Sequence, residues 1–134
     1  MSKKAVLVTG GFDPIHKGHI EYLREAKKLG DILYVGLNSD HWLTRKKGKP
    51  FMDLENRAMV IQSLDMVDEV IIFNDEDNSS CHAIHQTLQF YDEVIFANGG
   101  DRLLSNIPEY EKYQNDKRVK FVFNVGGDKT ESSS

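Results

Sequence analysis

Apolar residues gather in five short runs along this chain: Lys4 to Thr9, Ile32 to Leu37, Glu69 to Phe73, Glu93 to Ala97 and Val119 to Asn124. Each run is nearly continuous rather than alternating, the pattern of parallel strands covered on both faces. Between the runs the spacing turns helical. His19 to Leu29 sets Ile20, Leu23, Ala26 and Lys27 at helical intervals with charges opposite, and Gly30 follows as a stop. Leu54 to Leu64 places Ala58, Ile61 and Leu64 on one side, and shorter helices are predicted over Ala83 to Tyr91 and Pro108 to Gln114. The order β-α-β-α-β-α-β-α-β predicts a Rossmann-like, doubly wound five-stranded parallel sheet in three α/β/α layers with right-handed crossovers. Ligands of such sheets bind outside the C-terminal ends of the strands. The residues there are Gly10-Gly11-Phe12-Asp13, Asn38-Ser39-Asp40, Asn74-Asp75, Asn98-Gly99-Gly100-Asp101 and Val125-Gly126-Gly127-Asp128, which hold most of the glycine.

Composition narrows the picture. A chain of 134 residues with 40% hydrophobic and 28% charged residues is expected to form one domain over residues 1–134. Lys plus Arg number 17 and Asp plus Glu 21, a net charge of −4, which argues against general duplex nucleic-acid binding. No run approaches the roughly 20 apolar residues that cross a bilayer, and Lys3 and Lys4 lead into too short an apolar run for a secretory signal. With a single cysteine, Cys81, the expectation is a cytoplasmic protein that engages neither membrane nor nucleic acid.

The most informative segment follows the first strand: Thr9-Gly10-Gly11-Phe12-Asp13-Pro14-Ile15-His16-Lys17-Gly18-His19-Ile20. A strand, a glycine turn and a helix start together present unpaired backbone N–H groups and a partial positive charge, which suits a phosphate. A dinucleotide fingerprint would need Gly-x-Gly-x-x-Gly, but a six-residue insert with Pro14 and a histidine separates Gly11 from Gly18. His16 and His19 bracket Gly18 at the helix mouth, where imidazole N–H groups can join the helix terminus on phosphate oxygens and Gly18 allows close approach.

The string GGFDPIHKGHIEYL resembles the signature of the nucleotidyltransferase superfamily marked by His-x-Gly-His, and in particular its cytidylyltransferase-like branch. That branch includes glycerol-3-phosphate cytidylyltransferases, the adenylyltransferase domain of ADP-heptose synthases and archaeal FAD synthetases. The likeness continues in order through EAKKLGDILYVGLNSD, RKKGKPFMDLENR, SLDMVDEVIIF and ANGGD. It implies transfer of a nucleoside monophosphate unit from ATP or CTP to a phosphorylated sugar or polyol, with release of pyrophosphate. Mg²⁺ would arrive with the nucleotide, and a homodimer is implied. One specific form would be CTP:glycerol-3-phosphate cytidylyltransferase; a non-catalytic nucleotide-binding module is the reading from another class.

The resemblance also assigns roles. His16 and His19 would hold the α-phosphate and the bridging oxygen, with Gly10, Gly11, Phe12 and Gly18 shaping the turn beside the nucleotide and Asp13 and Pro14 shaping the loop. In the basic run Arg45-Lys46-Lys47-Gly48-Lys49, which by itself reads as a solvated loop, Lys47 would reach the transferred phosphate and Lys46 is its nearest substitute. Arg57 would bind a substrate or nucleotide phosphate through its fork of donors. Gly99, Gly100 and Asp101 would line the nucleotide. At the end of the sequence Lys129, Ser132 and Ser133 would contact the outer phosphates, although Glu131 replaces an apolar residue and the helix expected next has no residues here.

Other constellations carry less. Cys81, His82 and His85 fall short of the four ligands of a structural zinc site, so no protein-held metal is expected. Asp75, Glu76 and Asp77 read as a solvated turn, and His41 and Trp42 as loop packing.

Overall fold

The computed structural model describes residues 3–99, 107–123 and 125. Among them five strands run β1 (Lys4–Gly10), β2 (Ile32–Leu37), β3 (Glu69–Ile72), β4 (Glu93–Ala97) and β5 (Val119–Val122), interleaved with helices α1 (Lys17–Lys27), α2 (Asp40–Lys47), α3 (Leu54–Gln62), α4 (Cys81–Leu88) and α5 (Pro108–Tyr113). The sheet order is β3-β2-β1-β4-β5 and every pairing is parallel, with Val6 aligned to Leu33 on one side and to Ile95 on the other. This is the expected Rossmann-like α/β sheet.

Alternate strand residues serve opposite faces. Val6, Val8 and Val35 pack with Leu23 and Ala26 of α1 and Ile61 of α3. Leu7, Tyr34, Val94 and Phe96 pack with Ala83, Ile84 and Leu88 of α4 and Tyr113 of α5. Both faces of β1 are therefore dry, and Ala5, Val6, Leu7 and Val8 are all 0% exposed, which is why the strand reads as an unbroken apolar run. From central β1 the chain moves outward through β2 and β3, then returns to place β4 and β5 on the other side. The point where the direction reverses, between β1 and β4, opens a crevice at the strand ends.

Two differences from the sequence expectation matter. Residues 40–47, expected as a loop, form the helix α2, so the basic run occupies a helix end. Its periodicity is weak because Leu43 is its one buried residue; its boundaries are set by Ser39, whose Oγ accepts the Trp42 N–H at 3.0 Å, and by Gly48 at φ 88°. The first helix also begins at Lys17, earlier than predicted, because His16 caps it. No helix among the described residues is long and apolar enough to cross a membrane.

Candidate active site

β1 delivers the chain to Gly10, and the turn that follows is tightly packed. A Cβ on Gly10 would lie 3.2 Å from the Phe12 ring, and one on Gly11 would lie 2.8 Å from Cδ2 of Leu43. Phe12 takes φ 50°, is buried in the core, and is followed by a cis Asp13–Pro14 bond. Four residues after Asp13, at Lys17, the helix α1 opens.

At that opening the two histidines form a reciprocal cap. The Gly18 N–H donates to Nδ1 of His16 at 3.1 Å, while the His16 N–H donates to Nδ1 of His19 at 3.2 Å. The rings stack with centroids 3.9 Å apart, and the Phe12 ring meets the His19 ring edge-on at 5.0 Å. A nitrogen that accepts carries no proton, so each neutral imidazole holds its hydrogen on Nε2. Capping therefore sets the tautomer that gives both rings an Nε2–H donor, beside a helix N-terminus whose dipole favours an anion.

Asp13 links this turn to α2. Its Oδ1 accepts the Met52 N–H at 2.5 Å and its Oδ2 accepts the Phe51 N–H at 2.6 Å. Nζ of Lys47 lies 2.7 Å from the same Oδ2 and donates to the Asp13 carbonyl at 2.8 Å. Burial acts to raise the Asp13 carboxyl, but the Lys47 hydrogen bond, the two backbone donors and the Lys47 charge together hold it below the ordinary carboxylate value. The structure thus brings Lys47 to the histidine turn by way of Asp13. Lys46 points its ammonium over the Trp42 ring instead, 4.7 Å from the centroid.

Arg57 corrects its expectation. It is 1% exposed, with Nε donating to the Met52 carbonyl at 3.0 Å and Nη1 to the carbonyls of Gly11 and Asn38 at 3.0 and 2.8 Å. Nη2 pairs with Oδ1 of Asp40 at 2.6 Å. The guanidinium is enclosed by backbone oxygens and fastens the loops around the site, so in this arrangement it does not offer its fork to a phosphate.

Asp75 is the second correction. Far from solvated, it is 3% exposed and accepts from Ser39 N–H and Oγ, each at 2.8 Å, and from Nδ2 of Asn38 at 3.1 Å. It holds the start of α2 as Asp13 holds its end. Nothing in the local sequence pattern reports that a carboxylate from the loop after the edge strand reaches the Ser39 cap.

On the far side of the crevice Gly99 ends the β4 turn, with open space where a Cβ would stand. Gly100, Asp101, Lys129, Ser132 and Ser133 lie outside the described residues. Among the described residues no three His, Cys, Asp or Glu side chains gather where they could hold a metal ion. Cys81 is buried, which pushes its thiol up, whereas His82 and His85 are exposed.

The cytidylyltransferase-like family matches residues 7–132. The chain is similar to proteins named "Bifunctional protein HldE": 34% identical over 96% of this chain in Geobacter sulfurreducens, and 33% over 91% in Aliarcobacter butzleri. It spans only about a quarter of the length of these curated relatives, 26% and 25%. Among solved structures, the lipopolysaccharide core biosynthesis protein from Thermoplasma volcanium GSS1 is 30% identical with a TM-score of 0.71, the match covering 90% of this chain and 95% of that one. A protein of unknown function from Archaeoglobus fulgidus, 18% identical at a TM-score of 0.67 over 97% of this chain and 93% of its own, shares the fold.

Proposed function

The chain belongs to the cytidylyltransferase-like family, and from that premise we propose that it is a nucleotidyltransferase, moving a nucleoside monophosphate unit from ATP or CTP to a phosphorylated sugar or polyol. An acceptor phosphate oxygen attacks the α-phosphorus in line. The new P–O bond forms as the bond to the bridging oxygen breaks, and pyrophosphate leaves with the electron pair. The attacker is already anionic, so the reaction asks the protein for positioning and charge stabilisation more than for a base.

The observation that carries this reading is the stacked histidine pair. Both Nδ1 atoms are occupied by backbone donors, which leaves the ring hydrogens on Nε2 at a helix N-terminus, a donor set suited to the α-phosphate and the leaving bridge. Lys47, anchored to Asp13, adds a positive charge on the β2 side of the crevice. Mg²⁺ would arrive on the triphosphate oxygens, its remaining positions filled largely by water. The HldE relatives, together with the resemblance to the adenylyltransferase domain of ADP-heptose synthases, put sugar phosphates first among acceptors to try.

The test is pyrophosphate release with Mg²⁺, each of ATP, CTP, GTP and UTP, and a panel of phosphomonoesters that includes sugar 1-phosphates and glycerol 3-phosphate. Acceptor-dependent release is expected, and His16→Ala should lower it by about a hundredfold or more, the cost of one transition-state donor. Saturable nucleotide binding without release for any pair would identify a binding module instead.

A further inference from the structure

Resting on the transferase reading above, we infer that Asp13 is a positioning residue that holds the Lys47 ammonium at the transferred phosphate and sets the 48–53 segment as the rim of the site. Three observations carry it. The Asp13 side chain is 1% exposed, yet its oxygens receive donors from Lys47, Phe51 and Met52, so one carboxylate gathers the end of α2 and the start of the next segment onto the histidine turn. Lys47 is bound twice by the same residue, through Oδ2 and through the main-chain carbonyl. An ammonium has three donors, so two bonds to Asp13 fix its place and leave the third for a phosphate oxygen.

The remaining reason is what else holds Lys47. The helix that bears it buries Leu43 alone, so apolar packing does little to fix the far end of α2. Without Asp13 the four-carbon stem would sample many rotamers, and the charge would be spread over the mouth of the crevice rather than held at one point. A fixed charge stabilises a transition state without reorganising during the reaction. The lowered carboxyl of Asp13 agrees with this arrangement, since the ionised form is the one the clamp needs.

Two readouts on the intact protein test the assignment. The first is independent of turnover: brief acetylation with acetic anhydride, followed by peptide mass spectrometry. The Lys47 side chain is 38% exposed, so reagent can reach it, and the protection that disappears in Asp13→Asn is the part supplied by the Asp13 side chain. Lys47 is expected to react up to about tenfold more slowly than Lys46 and Lys49, and to lose most of that difference in Asp13→Asn, which keeps only the main-chain bond. Equal rates in the unaltered protein would overturn the inference. Asp13→Glu, which keeps the charge on a longer arm, replaces the Asn variant should that one fail to fold, and partial loss of protection is its expected result.

The second readout is a cycle of Asp13→Asn, Lys47→Met and the double variant on kcat. Each single change is expected to lower kcat by about tenfold or more with less effect on KM for the nucleotide, and the pair should fall no further than Lys47→Met alone. Independent, multiplying losses would mean that Asp13 only supports the loop. Absence of turnover with every substrate pair, alongside the expected labelling pattern, would remove the transferase reading and leave the clamp standing; full turnover in Asp13→Asn would do the reverse.

Discussion

The turn after β1 and the helix α2 adjoin one another and are built in opposite ways. The turn is organised locally: Phe12 drops into the apolar core, and His16 and His19 close a cap across three residues of sequence. By contrast α2 is held from a distance, by Asp75 after β3 at its start, Arg57 from α3 near Asp40, and Asp13 at its end. The turn therefore presents donors whose orientation follows from its own backbone. Placement of the Lys47 charge depends instead on carboxylates elsewhere in the chain. In the proposed transfer reaction, donors that need a fixed tautomer would sit on the self-contained element, and a charge needed at one point on the moored one.

Removing the moorings should break this contrast most strongly. Arg57→Leu leaves the buried carbonyl of Asn38 and the partly buried carbonyls of Gly11 and Met52 without their donor, while Asp40, 41% exposed at its side chain, can turn to water. The loss should come mainly from those carbonyls, about 3 kcal/mol in unfolding free energy by urea denaturation. His16→Asn, which keeps a capping oxygen at the start of α1, should cost well under about 1 kcal/mol in the same assay. Similar costs for the two would mean that the regions are fastened alike.

A smaller effect is expected where the regions touch. In Gly11→Ala the new Cβ would meet Cδ2 of Leu43 at 2.8 Å. That methyl ends a flexible side chain and can shift, so the cost should be about 1–2 kcal/mol. Because Leu43 is the buried residue of α2, the change should also speed amide exchange in residues 40–47 more than in residues 17–27. Uniform exchange in both helices would show that α2 does not rest on Leu43.

The same contrast explains what could be read in the sequence. The sheet was legible because strands buried on both faces must be apolar throughout, as Ala5 to Val8 and Ile32 to Leu37 are. The histidine turn was legible because its parts are neighbours in the chain. Helix α2 was not, since a segment such as DHWLTRKK with one buried residue carries no apolar stripe; Ser39 before it and Gly48 after it were the available signals. Arg57 reads as a surface or ligand arginine for a related reason. Its burial depends on carbonyls supplied by Gly11, Asn38 and Met52, and no pattern in ENR reports where those oxygens will be.

The weakest handle on the comparison is pH, which reads the tie between the two regions at the acid end and a residue of the sheet beneath them at the alkaline end. In the folded protein the Asp13 carboxyl lies below 3.8, because Lys47 and the backbone donors outweigh the raising effect of burial. Its contribution to stability is thus complete above 3.8 and is lost as pH falls through the lower folded value. Asp68, held down by Lys27 and the Leu33 N–H against its own burial, adds to the same acid limb, so the useful quantity is the difference between the unaltered protein and Asp13→Asn. That difference should shrink on acidification. At the other end, burial first and the Tyr91 hydrogen bond next push Tyr34, on the central sheet, from 10.0 up to about 12. Its contribution is complete below 10.0 and is lost as pH rises through about 12, so Tyr34→Phe should flatten the alkaline decline while leaving the acid one in place. Urea unfolding of the three proteins across both ranges decides the matter: an acid limb unchanged by Asp13→Asn would mean that α2 is tied to the histidine turn by something other than this carboxylate.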